Sequence, residues 1–170
     1  MRHHFQSEQW LPYPVEEVFR FFADPDNLPK LMPEWQKTRI ESAALVTSGN
    51  SPTAQAGSRL TLSFRPVPLS PLRISWDAEI DQFVLNNYFC DTQIRGPFAF
   101  WHHCHRVVRE IRHDLQGHSL DGTLLRDELE YELPFGLVGE LAHGIAIRSQ
   151  IQSIFRYRHQ RTEELMNSRS

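Results

Sequence analysis

The order of hydrophobic periodicities along the chain is the strongest constraint on its fold. Residues 98–113 and 119–133 read as two long strands joined by a polar turn that contains Gly117, and Pro134 ends the second strand. Shorter strand-like segments precede this pair, and apolar residues recur at helical spacing from Leu137 onward. Because hairpin-length connections join the strands, we expect an antiparallel sheet rather than parallel strands with crossover helices.

The remaining segments predict a sheet of six to seven strands with helices at both ends. A short helix is expected over residues 15–23, where Pro14 suits the first helical position, and a second one follows to about Leu31. A curved antiparallel sheet wrapped around the long C-terminal helix would bury the helix's apolar face and leave a cavity between sheet and helices. The other strands are predicted at residues 2–11, 35–45, 58–65, 72–83 and 88–94.

Composition is that of one globular domain, residues 1–170, with no overall charge that would attract nucleic acid. Hydrophobic residues make up 40% of the 170 residues and the formal net charge is -3. No segment has the apolar length of a membrane span, and the first residues lack the apolar core of a signal peptide. The two cysteines, Cys90 and Cys104, do not make a disulfide framework, so we expect a cytoplasmic protein in which Cys104 is a small semi-buried residue.

Three histidines stand close together just after the Gly-Pro break at residues 96–97. Because side chains alternate between the two faces of a strand, Trp101, His103 and His105 are predicted to share one face, with Cys104 on the other. An inward row of Trp and His indicates either a metal site or a polar pocket for a ligand.

The expected hairpin brings an acidic residue to this row. A turn centred near Gln116 places Asp127 opposite His105, whereas a shift of one residue would place Glu128 there. The same register pairs the neighbouring inward residues, His103 with Leu129 and Trp101 with Tyr131. The His105–Asp127 pair is open to three interpretations: a cross-strand pair that stabilises the sheet, an anchor for a polar ligand group, or a general acid–base pair.

The residues predicted to bind a ligand are this polar row and several aromatic residues, which would either line the floor of a pocket or fill the core. It comprises Trp76, Tyr88, Trp101, His103, His105, Asp127 and Tyr131, with His105 and Asp127 as the candidate catalytic residues. The arginines at 156, 158 and 161 are interpreted as a solvated helix face.

A metal is not expected. His103-x-His105 followed by Glu110 and Gly117 resembles the first metal motif of cupins, but the upstream glycine is one position off and no later motif supplies the last histidine. We therefore predict no metal and no fixed cofactor.

The chain resembles the SRPBCC superfamily, which includes Bet v 1-like, START and polyketide cyclase proteins. Residues 14–28 resemble the first helix pair of a bacterial ligand-binding branch, and Phe155-Arg156-Tyr157-Arg158 resembles the end of its last helix. The group of Gly96, Pro97, Phe98, Trp101, His103 and His105 with Asp127, Tyr131 and residues 133–136 resembles its later strands and helix entry. The resemblance implies an α+β helix-grip fold and a cavity for a hydrophobic ligand, without implying one chemistry.

Three functions remain open. The first is binding of a small hydrophobic or amphipathic molecule in the cavity between the sheet and the C-terminal helix. The second is a cofactor-independent cyclase or dehydratase that uses His105 and Asp127 as an acid–base pair. The third is a regulatory role with a protein partner, because members of the resembled branch are also labelled cell-division inhibitors.

Overall fold

A computed structural model describes residues 1–47, 53–136 and 146–168. Within these ranges, seven antiparallel strands form one sheet in the order β1-β7-β6-β5-β4-β3-β2. This arrangement confirms the predicted helix-grip fold and strand number. The strands are β1 (Arg2–Leu11), β2 (Arg39–Ala44), β3 (Arg59–Phe64), β4 (Ile74–Val84), β5 (Tyr88–Arg95), β6 (Phe100–His113) and β7 (Ser119–Glu132), and the helices are α1 (Val15–Ala23) and α2 (Arg148–Asn167).

The second N-terminal helix differs from the prediction. Instead of one α-helix to about Leu31, the chain forms two separate 3₁₀ turns, Pro25–Asn27 and Pro29–Leu31. Pro29 has no backbone N–H to donate, so an α-helix that began at Pro25 would lose a hydrogen bond at its second turn. A third 3₁₀ turn, Glu34–Gln36, leads into β2.

The β6–β7 hairpin has the predicted register. His105 lies opposite Asp127 along a ladder that runs from Phe100–Glu132 to His113–Ser119. The other two predicted pairs, His103 with Leu129 and Trp101 with Tyr131, are also confirmed. Gly117 adopts φ +85° in the turn, a conformation that residues with a Cβ rarely adopt.

Helix α2 packs one stripe of side chains against the sheet and the N-terminal turns. Its buried residues are Ile151, Phe155, Arg158, Thr162 and Met166, which follow the three- and four-residue spacing of one helix face. The helix was predicted from Leu137, but residues 137–145 lie outside the described part of the chain. No helix in the described ranges has both the length and the apolar character that crossing a membrane requires.

The opposite face of the sheet carries cross-strand ion pairs and a disulfide. Arg106 binds Glu128 and Arg126 binds Glu8, at N–O distances of 2.8 Å and 2.7 Å. Cys90 and Cys104 are opposed on β5 and β6 and are joined by a disulfide. The expectation that the two cysteines stay unpaired is therefore wrong, because β5 and β6 pair in the register that sets one beside the other. The cytoplasmic location, which rested partly on cysteine usage, stays a prediction.

Gly122 on β7 occupies a position where a larger residue would collide with β1. A Cβ there would lie 2.5 Å from the Leu11 carbonyl oxygen and 2.5 Å from the Trp10 ring. The same indole donates its N–H to the Glu110 carbonyl at 3.0 Å, so it is held in place. We expect Gly122→Ala to lower the free energy of unfolding by about 1–3 kcal/mol in chemical denaturation. Ser119→Ala at the exposed start of β7 is the control, and equal stability of the two variants would contradict the prediction.

Candidate functional site

A cavity of about 330 Å³ lies between the inner face of the sheet, the N-terminal turns and α2. Most of its walls are apolar. Its largest apolar lining residues are Phe22, Leu31, Met32, Phe64, Trp76, Ile80, Phe89, Phe98, Trp101, Ile151, Ile154 and Phe155. A volume in this range suits a small organic ligand, with hydrophobic contacts supplying most of the affinity.

Four strand residues form a buried polar cluster in one wall. His103 Nε2 lies 3.1 Å from Asp127 Oδ1, and His103 Nδ1 lies 3.6 Å from Asp91 Oδ2. His105 Nδ1 lies 2.7 Å from the same Asp127 oxygen, but the two atoms are not aligned for a hydrogen bond. Three adjacent strands, β5, β6 and β7, thus each contribute side chains to one contiguous cluster.

The cluster divides its charges between the two histidines. Burial opposes a charge on His103, but its hydrogen bond to Asp127 and its attraction to Asp91 raise its pKa above the usual value. Burial and the nearby charge of His103 lower the pKa of His105 to about 4. The two imidazoles lie 4.2 Å apart between ring centroids, yet His103 binds a proton more tightly than a free histidine does, whereas His105 is neutral at neutral pH.

The two carboxylates stay ionised. Burial alone would raise the pKa of Asp127, but the two histidines and Arg158 hold it well below its usual value. Burial also works against ionised Asp91, yet its pKa is lowered, mainly by its interaction with His103 at 3.6 Å. The two negative charges are therefore compensated by the positive charge of Arg158 and by the raised proton affinity of His103.

Aromatic rings surround the neutral His105. The ring of Phe89 lies 4.6 Å from the imidazole and that of Phe22 lies 5.5 Å away, measured between centroids. These rings keep water away from the imidazole, and this burial, with the nearby His103, outweighs the opposing effect of Asp127 and lowers its pKa.

Arg158 on α2 is the fifth member of the site. It is 8% exposed and lines the cavity, with its guanidinium 5.1 Å above the Phe155 ring. The expectation of a solvated face is correct for Arg156, which is exposed, but wrong for Arg158. Residue 158 lies seven positions after Ile151 and three after Phe155, so it falls on the stripe that packs inward.

The predicted site residues separate into three groups. Trp76, Trp101, His103 and His105 line the cavity, whereas Asp127 and Tyr131 are buried beside them without lining it. Tyr88 is misplaced in the prediction: it lies on the outer face, where the Arg106 guanidinium stands 4.6 Å above its ring. Side chains alternate along β5, so Phe89 faces the cavity and its neighbour cannot.

Two site residues were missed from sequence, Asp91 and Arg158. Asp91 shares inward parity with Phe89, but only the β5–β6 register shows that it faces His103. Arg158 was detectable from its spacing to Ile151 and Phe155 on one helix face.

In the structure, Asp91 joins His103 and His105 as a third residue that could bind a metal ion. One ligand atom from each of Asp91, His103 and His105 falls within a 4.8 Å span, which fits two imidazoles and a carboxylate on one ion. The charge arrangement argues against it: both nitrogens of His103 face carboxylates, and Arg158 adds a positive charge. The absence of a metal stays a prediction that elemental analysis of purified protein checks.

The low pKa of His105 predicts a pH-dependent stability. The imidazole titrates near pH 6.5 in the unfolded chain and near pH 4 in the native state, so the unfolded state takes up the proton first as pH falls. We expect wild type to lose about 3 kcal/mol more unfolding free energy than His105→Phe between these two pH values.

Chemical denaturation at a series of pH values measures this difference. His103 acts in the opposite direction, since its raised pKa contributes stability below pH 6.5 that is lost as pH rises through its native pKa. The control is His113→Phe, an exposed position that should follow wild type. Parallel curves for wild type and His105→Phe would contradict a neutral buried His105.

Solved structures similar to this chain share its fold at low sequence identity. The protein TTHA0849 from Thermus thermophilus is 19% identical with a TM-score of 0.59, and the match covers 94% of this chain and 96% of that one. Major latex-like protein 151 from Panax ginseng is 11% identical with a TM-score of 0.59, covering 96% of each chain. A Thalictrum norcoclaurine synthase point mutant in complex with a transition-state analogue is 11% identical with a TM-score of 0.61, covering 100% of this chain and 98% of that one.

Sequence comparison identifies the family but no individual relative of curated function. No curated protein matches the chain. The family model described as polyketide cyclase / dehydrase and lipid transport matches residues 11–153, which include α1, every strand after the first and the first residues of α2. The chain therefore belongs to the polyketide cyclase/dehydrase and lipid transport family.

Proposed function

We propose that this protein binds a small, largely apolar molecule in the cavity between the sheet and α2. The observation that carries the proposal is the contrast between the apolar walls of the cavity and the buried cluster of His103, His105 and Asp91. The apolar body of a ligand would replace water on the walls, with a gain of about 25 cal/mol per Å² of surface buried. The cluster would hold the polar end of the ligand and set its orientation.

Unpaired oxygen atoms in the cavity wall also favour an amphipathic ligand over a hydrocarbon. Gln36 Oε1 and Thr38 Oγ1 are buried and have no hydrogen-bond partner within the described residues. Both residues line the cavity. An unsatisfied buried acceptor costs about 1–3 kcal/mol, which a hydroxyl or N–H group on the ligand would recover.

Filling the cavity should abolish binding without unfolding the protein. Ala78 on β4 lines the cavity, so Ala78→Phe places a ring in the ligand's space. We expect the Ala78→Phe variant to bind N-phenyl-1-naphthylamine, a neutral probe that fluoresces in apolar surroundings, at least about tenfold more weakly than wild type. This corresponds to a loss of about 1.4 kcal/mol of binding free energy. Ala43→Phe on the exposed part of β2 is the control and should bind as wild type does.

Native mass spectrometry of freshly purified protein would show whether a natural ligand is retained. Failure of wild type to bind any apolar probe, or full binding by Ala78→Phe, would overturn the proposal.

A second candidate function, acid–base catalysis, is favoured by a neutral imidazole, His105, beside His103, whose pKa is raised, in the cavity wall. Neutral His105 would accept a proton from the carbon next to a ligand carbonyl. Both nitrogens of His103 already face carboxylates, so a charge on His103 would stabilise the developing enolate through space rather than through a hydrogen bond. Both residues line the same cavity, so one bound carbonyl compound can meet both.

Proton exchange at carbon tests this candidate without a known substrate. Wild type in heavy water should accelerate deuterium incorporation into a bound β-keto ester beside its carbonyl, measured by NMR, and His105→Phe should lose most of the acceleration. Binding of N-phenyl-1-naphthylamine by the same variant is the control for an intact cavity. Exchange no faster than in buffer alone would leave the binding function standing and overturn the catalytic one.

A further inference from the structure

We propose that Arg158 forms an anion-binding subsite in the cavity and that the bound molecule is an amphipathic organic acid. The acid group would lie on the Arg158 guanidinium, with the apolar body of the ligand among the aromatic walls. This inference rests on the proposed binding function and specifies the chemical class of its ligand.

The first observation is that Arg158 is buried without a polar partner for its side chain. Within the described residues, no carboxylate oxygen lies within 4 Å of its guanidinium and no hydrogen bond engages it. Its recorded side-chain contact is the Phe155 ring beneath it. A guanidinium has five N–H donors, and in an apolar cavity wall an anion is a stronger partner for them than water.

The second observation is that the nearby carboxylates are already committed to other groups. Asp127 is bound by His103 and lies 2.7 Å from His105, while Asp91 faces His103 at 3.6 Å. Arg158 acts on both carboxylates through longer-range attraction only. Because the histidines engage both carboxylates, the guanidinium donors remain open to an incoming anion.

The third observation is the position of Arg158 on the helix. It stands on the same buried stripe as Ile151 and Phe155, both of which line the cavity. An anion on the guanidinium would therefore be continuous with the apolar space, and a planar carboxylate suits the two parallel N–H groups of an arginine. Arg156, two positions earlier, is exposed and offers the same charge outside the cavity.

Two fluorescent probes that differ by one charged group test the subsite. 1-Anilinonaphthalene-8-sulfonate has the skeleton of N-phenyl-1-naphthylamine with an added sulfonate, which is ionised at neutral pH. We expect Arg158→Met to weaken binding of the sulfonate probe at least about tenfold and to change binding of the neutral probe less than about threefold. Arg158→Lys, which keeps the charge, should retain most of the preference, and Arg156→Met should match wild type for both probes.

The outcomes separate this inference from the proposed binding function. Equal losses for both probes in Arg158→Met, or no loss for either, would overturn the anion subsite while the cavity binding stands. A wild type that binds neither probe would overturn both proposals.

A second measurement, on wild type, covers the case in which Arg158→Met does not fold. That variant lacks the guanidinium whose positive charge compensates the carboxylates of Asp91 and Asp127. Decanoate and decan-1-ol, which share a chain length, compete against bound N-phenyl-1-naphthylamine. We expect decanoate to displace the probe at a concentration at least about tenfold lower than the alcohol does, because only the acid can pair with Arg158. Displacement at equal concentrations would overturn the subsite.

Discussion

The β6–β7 ladder is the interaction on which the rest of the structure depends. Its register sets His105 beside Asp127 and His103 beside Leu129, and strand alternation then turns the two histidines toward α2. A slip of one strand by one residue would turn its side chains to the other face, so that either Arg106 or Glu128 would point into the core and their ion pair would be lost. The same pairing therefore builds both the functional wall and the solvated face of the sheet.

The buried charges are stable because each compensates another. Ionised Asp91 and Asp127 would be costly in an apolar interior, and so would the guanidinium of Arg158. The position of His103 between the two carboxylates raises its proton affinity, and the proximity of His103 in turn lowers the proton affinity of His105. The neutral imidazole of His105 and the open guanidinium of Arg158 thus belong to one set of coupled charges, and each offers a ligand a different polar contact.

Aromatic rings that pack against one another form the wall of the cavity beside the polar cluster. Trp76 and Trp101 pack edge to face, with ring centroids 4.8 Å apart, and Phe98 packs against both. On the other side, α2 places the charged Arg158 where an apolar side chain would complete a filled core. The fold thus holds an apolar volume open next to charged groups, the combination that an amphipathic ligand fits.

Local periodicity and turn chemistry in the sequence determined the succession of strands along the chain, the register of the β6–β7 hairpin and the inward row of Trp101, His103 and His105, because these depend on contacts between neighbours in the chain. The tertiary structure alone decided which residues join that row from elsewhere. Asp91 reaches His103 only through the pairing of β5 with β6, and the same pairing joins Cys90 to Cys104. Tyr88 and Phe89 are equally aromatic in sequence, and the strand's orientation selects one for the cavity. Arg158 belongs to the site because α2 packs with that face inward, and the rotation of a helix about its axis is set by what it packs against.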